Sequence, residues 1–203
     1  MSKKRLFYIG FFVALALIFY LVLTLIIPGF GKVKSPPVSF VKPFSFTNQD
    51  GKVVTEKDVA GKVYVAEYFF THCEGICPIM NNNMRLVYEE FKNDSNFIIL
   101  SHTCDPDRDS VGQMKYYADS MKVDTRRWIF LTGGKQSLYD AARVSYTIDD
   151  PVNNLKSLDD QFIHSQFWAL VNKKGDVMKI YDGLKESEVK SLIKAARRLL
   201  KEE

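Results

Sequence analysis

The sequence predicts an α/β domain on a mixed sheet, carried behind one membrane-spanning helix. Three observations predict it: an uncharged apolar run near the N-terminus, strand-type runs that alternate with helix-periodic segments, and a closing hairpin followed by an amphipathic helix. The 203 residues are 46% hydrophobic and 26% charged, a globular balance that excludes a disordered or low-complexity chain.

Residues 6–27 hold 22 positions without a charge, and a helix of that length covers roughly 30 Å of hydrocarbon. Lys3, Lys4 and Arg5 precede this run. Residues 1–5 are therefore expected as a cytoplasmic tail, 6–27 as the anchor, and the rest of the chain outside. A cleaved signal peptide is the rival reading. Its apolar region would span roughly 7–15 residues and end at a small-residue cleavage site, whereas this run ends Ile26-Ile27-Pro28-Gly29-Phe30. Five residues leave no room for an Arg-rich presequence, which favours a bacterial inner membrane with the domain in the periplasm over a mitochondrial one. Three of the 28 basic residues lie before the span, leaving 25 against 24 acidic residues, a balance that argues against nucleic-acid partners.

Residues 28–37 (PGFGKVKSPP) have no apolar periodicity and form a tether to a domain at 38–203. That domain opens with a hairpin, since Phe44-Ser45-Phe46 and Val53-Val54 flank Asp50-Gly51, a pair that tolerates positive φ. Residues 62–70 (KVYVAEYFF) are almost unbroken in apolarity, as a strand buried on both faces would be, with Glu67 the exception. From Pro78 to Lys92, residues Met80, Met84, Val87 and Phe91 recur at helical spacing, and Pro78 suits the first helical position. A loop holding Cys73 to Cys77 is expected between the two. Residues 97–101 (FIILS) form the next buried strand. Asp105-Pro106-Asp107-Arg108-Asp109 then turns into a helix whose Ser110 and Gln113 have capping-box spacing. Residues 128–131 form a third buried strand, and 135–144 a short helix. Residues 167–171 and 177–181 form a second hairpin about Gly175-Asp176, and Val189, Leu192, Ile193, Ala196, Leu199 and Leu200 stripe a terminal helix.

Chemistry falls to three Cys (73, 77, 104) and three His (72, 102, 164). Cys73-Glu74-Gly75-Ile76-Cys77 feeds a helix N-terminus, whose partial positive charge stabilises thiolates for attack or for metal binding. A structural disulfide is the bland alternative, yet a bridge across so short a loop removes little unfolded-chain entropy. Two thiolates leave a metal site incomplete. His72 adjoins Cys73, and neighbours in an extended segment point apart. His164, directly before a strand, could join across the sheet end or be an ordinary loop residue. Soft sulfur and imidazole donors favour soft cations over hard ones. Zinc would need Cys104 or His72 as a fourth ligand. Met80 and Met84 suit core packing better than thioether ligation, and Glu67 is either buried and paired near the thiols or at an exposed edge.

The ordered set FTHCEGICP (70–78), DPDRDS (105–110), LTGG (131–134) and a single His before a strand–turn–strand resembles the SCO/SenC family, from about Pro43 to the terminal helix. The resemblance implies a membrane-anchored, thioredoxin-like domain that assembles the dinuclear copper centre of cytochrome c oxidase. It implies Cys73, Cys77 and His164 as ligands of one copper ion, Cu(I) or Cu(II), with a copper-bearing oxidase subunit and a thiol reductant as partners. Asp105, Pro106, Arg108 and Asp109 are expected near the site without being ligands. The chain has Cys104 where the family commonly has an aliphatic residue, leaving it as a small core hydrophobe or a resolving thiol. A Cys73–Cys77 disulfide would remove both thiolates, so the alternative function is a periplasmic thiol–disulfide oxidoreductase. A peroxidase reading lacks the Pro-x-x-x-Thr-x-x-Cys pattern.

Overall fold

The computed structural model describes residues 2–26, 36–149 and 166–202. His164 and most of the tether lie outside them. Two compact units divide the chain, Met1–Pro36 and Pro37–Glu203. In the first, α1 (Lys3–Ile26) contains an 18-residue stretch of mean hydropathy 2.8 and has no buried side chain, so by length and composition it can cross a membrane.

The second unit is a mixed sheet with helices on both faces. Its strands are β1 (Ser39–Phe40), β2 (Ser45–Asn48), β3 (Val53–Thr55), β4 (Val63–Phe69), β5 (Phe97–Thr103), β6 (Trp128–Thr132), β7 (Phe167–Val171) and β8 (Asp176–Asp182), in the spatial order β1-β8-β7-β4-β5-β6-β2-β3. β4, β5 and β6 run parallel, whereas β7 is antiparallel to β4 and β8 to β7. The parallel pairs need crossovers, supplied by α3 (Cys77–Phe91) and α4 (Val111–Met121). Both expected hairpins are present, with φ of 75° at Gly51 and 85° at Gly175.

All seven residues of β4 and of β5 are buried, because each lies inside the sheet with a layer on either side. Val63, Val65 and Phe69 point to a core shared with α3, α4 and α6 (Glu186–Lys201), where Met80 and Met84 sit as packing residues. Tyr64, Ala66 and Tyr68 point to the other core, which Cys104 joins. Lys194, Arg197, Arg198 and Lys201 lie on the exposed face of α6.

Three local outcomes differ from the sequence expectation. The helix expected over 135–144 is α only in α5 (Lys135–Asp140) and then widens to a π-helical stretch, Ala141–Ser145, closed by Tyr146 N–H on the Ala141 carbonyl at 2.9 Å. β1 and the single turn α2 (Glu56–Val59) were too short to show periodicity. Cys77 is not in the loop but in the first turn of α3, since Pro78 lacks the N–H that would have no partner there and so lets the helix start at once.

Candidate metal and redox site

The loop of the two cysteines leaves the C-terminal end of β4, the outermost strand of the parallel part of the sheet, and α/β sheets place their ligands at that end. A turn at Thr71-His72 closes with Cys73 N–H on the Phe70 carbonyl at 3.2 Å, and the chain enters α3 at Cys77. Cys73 is half-buried, Cys77 is buried, and both are free thiols. Burial, followed by the neighbouring Cys73 thiol, pushes the Cys77 thiol up to about 12. The expectation that the helix terminus would hold Cys77 as a thiolate is thereby corrected: loss of hydration outweighs the partial charge of the helix end. A cation or oxidant at this pair must displace a proton from Cys77.

Glu67 lies on the same face of β4 as the residues that pack on α3. It is fully buried, its Oε1 accepts from the Ser101 hydroxyl at 2.5 Å, and Ser101 in turn accepts from the Trp128 indole N–H at 2.7 Å. Oε2 has no hydrogen-bond partner among the described residues. Burial raises the carboxyl to about 7, so below that pH Glu67 is held as a neutral acid, and once ionised its charge adds to the upward push on Cys77. On the opposite face, His102 stacks on Tyr68 with ring centroids 4.9 Å apart, and burial lowers it to about 4. Cys104 is buried too, donating its thiol to the Phe69 carbonyl at 3.2 Å.

The expected neighbour segment holds the loop in place. Asp109, fully buried, accepts from the Thr71 hydroxyl at 2.5 Å, the Thr103 hydroxyl at 2.5 Å and the Thr71 backbone N–H at 3.2 Å. The Thr103 oxygen accepts from the Asp105 N–H at 2.9 Å. Ser110 caps α4 by accepting from Gln113 N–H at 3.3 Å, but the Gln113 side chain does not return to complete the box. It reaches Thr71 Oγ at 3.1 Å instead. Thr71, Thr103 and Gln113 were not read as site residues; a short polar side chain beside a cysteine carries no signal of its own until a buried carboxylate is seen to bind it.

His164 lies outside the described residues, so its distance to the thiols is not given by the fold. The chain just after it is anchored. Gln166 donates its amide to Asp182 at 3.0 Å and accepts from the Gly183 N–H at 2.8 Å. The Ala66–Ala169 register starts β7 beside the end of β4, at the sheet end from which the cysteine loop departs. Among the described residues no group of three or more His, Cys, Asp or Glu converges to hold a metal.

Residues 33–201 match the SCO1/SenC family. The SCO1 protein homolog of Bacillus subtilis is 33% identical over 167 residues, covering 81% of this chain and 85% of that protein. Among solved structures, a SCO1/SenC family lipoprotein from Bacillus anthracis superposes with a TM-score of 0.67 at 32% identity, over 81% of this chain and 98% of its own. ScoI from Arabidopsis thaliana, crystallised with copper bound, superposes at 0.63 with 28% identity, over 80% of this chain and 98% of its own. The fold is thus thioredoxin-like, as expected.

Proposed function

This chain belongs to the SCO1/SenC family, and from that premise we propose that it is a membrane-anchored copper carrier whose Cys73, Cys77 and His164 hold one copper ion per domain. Copper is its cargo, delivered to the dinuclear copper site of cytochrome c oxidase or a similar copper protein. Lys3, Lys4 and Arg5, at the start of α1 and before its uncharged run, keep the N-terminus cytoplasmic and put the domain in the periplasm of a bacterial inner membrane. The observation that carries the reading is the pair of free thiols at the end of β4, beside the start of the strand that His164 precedes by three residues. Two sulfurs and an imidazole suit Cu(I) and leave a coordination position for the recipient. The proton on Cys77 makes loading a proton-releasing step and disfavours retention of weaker cations.

Titration of the reduced full chain in detergent micelles with Cu(I) tests this. One ion per chain is expected, lost on Cys73→Ser, Cys77→Ser or His164→Ala. Unchanged affinity in His164→Ala removes that residue from the site.

The asymmetry of the thiols favours a second reading, the thiol–disulfide oxidoreductase. A half-buried Cys73 is placed to attack a partner disulfide and a buried Cys77 beside it to resolve the mixed disulfide. Under that reading His164→Ala leaves thiol exchange intact.

A further inference from the structure

His72 was set aside in the sequence because its neighbour Cys73 points elsewhere, yet hydrogen-bond counting gives its ring a definite state. Thr71 Oγ has one proton and two lone pairs. The proton goes to Asp109 Oδ1, and one lone pair accepts from Gln113 Nε2. Asp109 cannot supply another, since its Oδ2 already accepts from the Thr103 hydroxyl and the Thr71 N–H. One lone pair of Thr71 remains, and it faces His72 Nδ1 at 2.9 Å. Nδ1 must therefore be the donor. In the neutral ring the free lone pair then sits on Nε2, and His72 is exposed. A histidine whose far nitrogen is tied through a hydroxyl to a buried carboxylate has the arrangement that orients metal-binding imidazoles.

Resting on the copper-carrier reading, we infer that His72 Nε2 is the receiving ligand for the cargo, taking the ion at the surface and passing it to Cys73, the next residue. The ring is not gathered with the two thiols into a three-residue group among the described residues, and the role inferred for it is a step ahead of theirs. The exchange is redox-neutral. Cu(I) leaves its carrier for Nε2, copper–sulfur bonds then replace the copper–nitrogen bond, and the protons of Cys73 and Cys77 pass to water.

The test uses the reduced full chain in detergent micelles, without oxygen, with Cu(I) presented as its coloured bicinchoninate complex and transfer followed as loss of colour. His72→Ala is expected to slow loading at least about ten-fold while final stoichiometry stays at one. Thr71→Val, which frees Nδ1, is expected to slow it less. Nitrogen NMR of the copper-free wild type is expected to show His72 protonated at Nδ1 and bare at Nε2, and Thr71→Val to lose that preference. Wild-type loading kinetics in His72→Ala, or a proton on Nε2 in the wild type, overturns the inference and leaves the carrier reading standing. Failure of the wild type to take copper at all overturns the carrier reading itself.

Discussion

Replacing Glu67 by Gln should expose a pH dependence of stability that the wild type conceals. Glu67 is protonated in the fold up to about 7, whereas the unfolded chain ionises it from about 4.5. Stability from this group is full below 4.5, falls as pH rises to 7, and is constant beyond. At roughly 1.4 kcal/mol per pH unit the loss amounts to about 3 kcal/mol. His102 has the opposite sign. It stays neutral in the fold down to about 4 while the unfolded ring takes a proton below 6.5, so its contribution falls by about 3 kcal/mol as pH drops from 6.5 to 4. Between pH 4.5 and 6.5 the two slopes cancel. Glu67→Gln keeps the shape, removes one slope and leaves the other, so the variant should gain about 2–3 kcal/mol on the wild type across that interval. The assay is urea unfolding of the reduced full chain in micelles at a series of pH values. It is followed by tryptophan fluorescence, because Trp128 and Trp168, the two tryptophans of the chain, are both fully buried in the sheet domain. Every other titrating group is common to both proteins and drops out of the difference. Parallel profiles for the two proteins would refute the reasoning.

Four further outcomes follow from the packing. A Cβ on Gly183 would lie 2.4–2.6 Å from three atoms of the Trp168 indole, so Gly183→Ala should cost about 1–3 kcal/mol in the same urea assay and loosen the start of β7. Asp109→Asn replaces an acceptor-only group that holds two hydroxyls and an N–H, and should lower stability by about 1–3 kcal/mol and raise the rate at which iodoacetamide alkylates Cys73. Met84→Ala empties a fully buried position between α3 and the sheet and should cost about 2–5 kcal/mol by the same measurement. Cys104 is buried and bonded to the Phe69 carbonyl, so mass spectrometry of the native reduced chain should find it unalkylated, and Cys104→Ala should bind copper with unchanged stoichiometry.

Sequence by itself determined a great deal here, and for an identifiable reason. Membrane spans, doubly buried strands and amphipathic helices are dictated by solvent, and each leaves a periodicity or a run that can be counted along the chain. The helix over the apolar stretch before Pro28, the buried runs of β4 and β5 and the stripe of α6 are all solvent patterns of this kind. Tertiary structure alone decided the state of the groups inside. Whether Glu67 was at an edge or buried depended on β7 lying against β4. The protonation of Cys77 depended on how much water α3 and the sheet exclude, a competition with the helix end that spacing cannot weigh. Gln113, placed by the sequence to cap its own helix, turned to Thr71 because a buried Asp109 had already brought that hydroxyl within reach. Contacts between residues 38 or more positions apart are set by how strands and helices stack, and one-dimensional patterns hold no record of them.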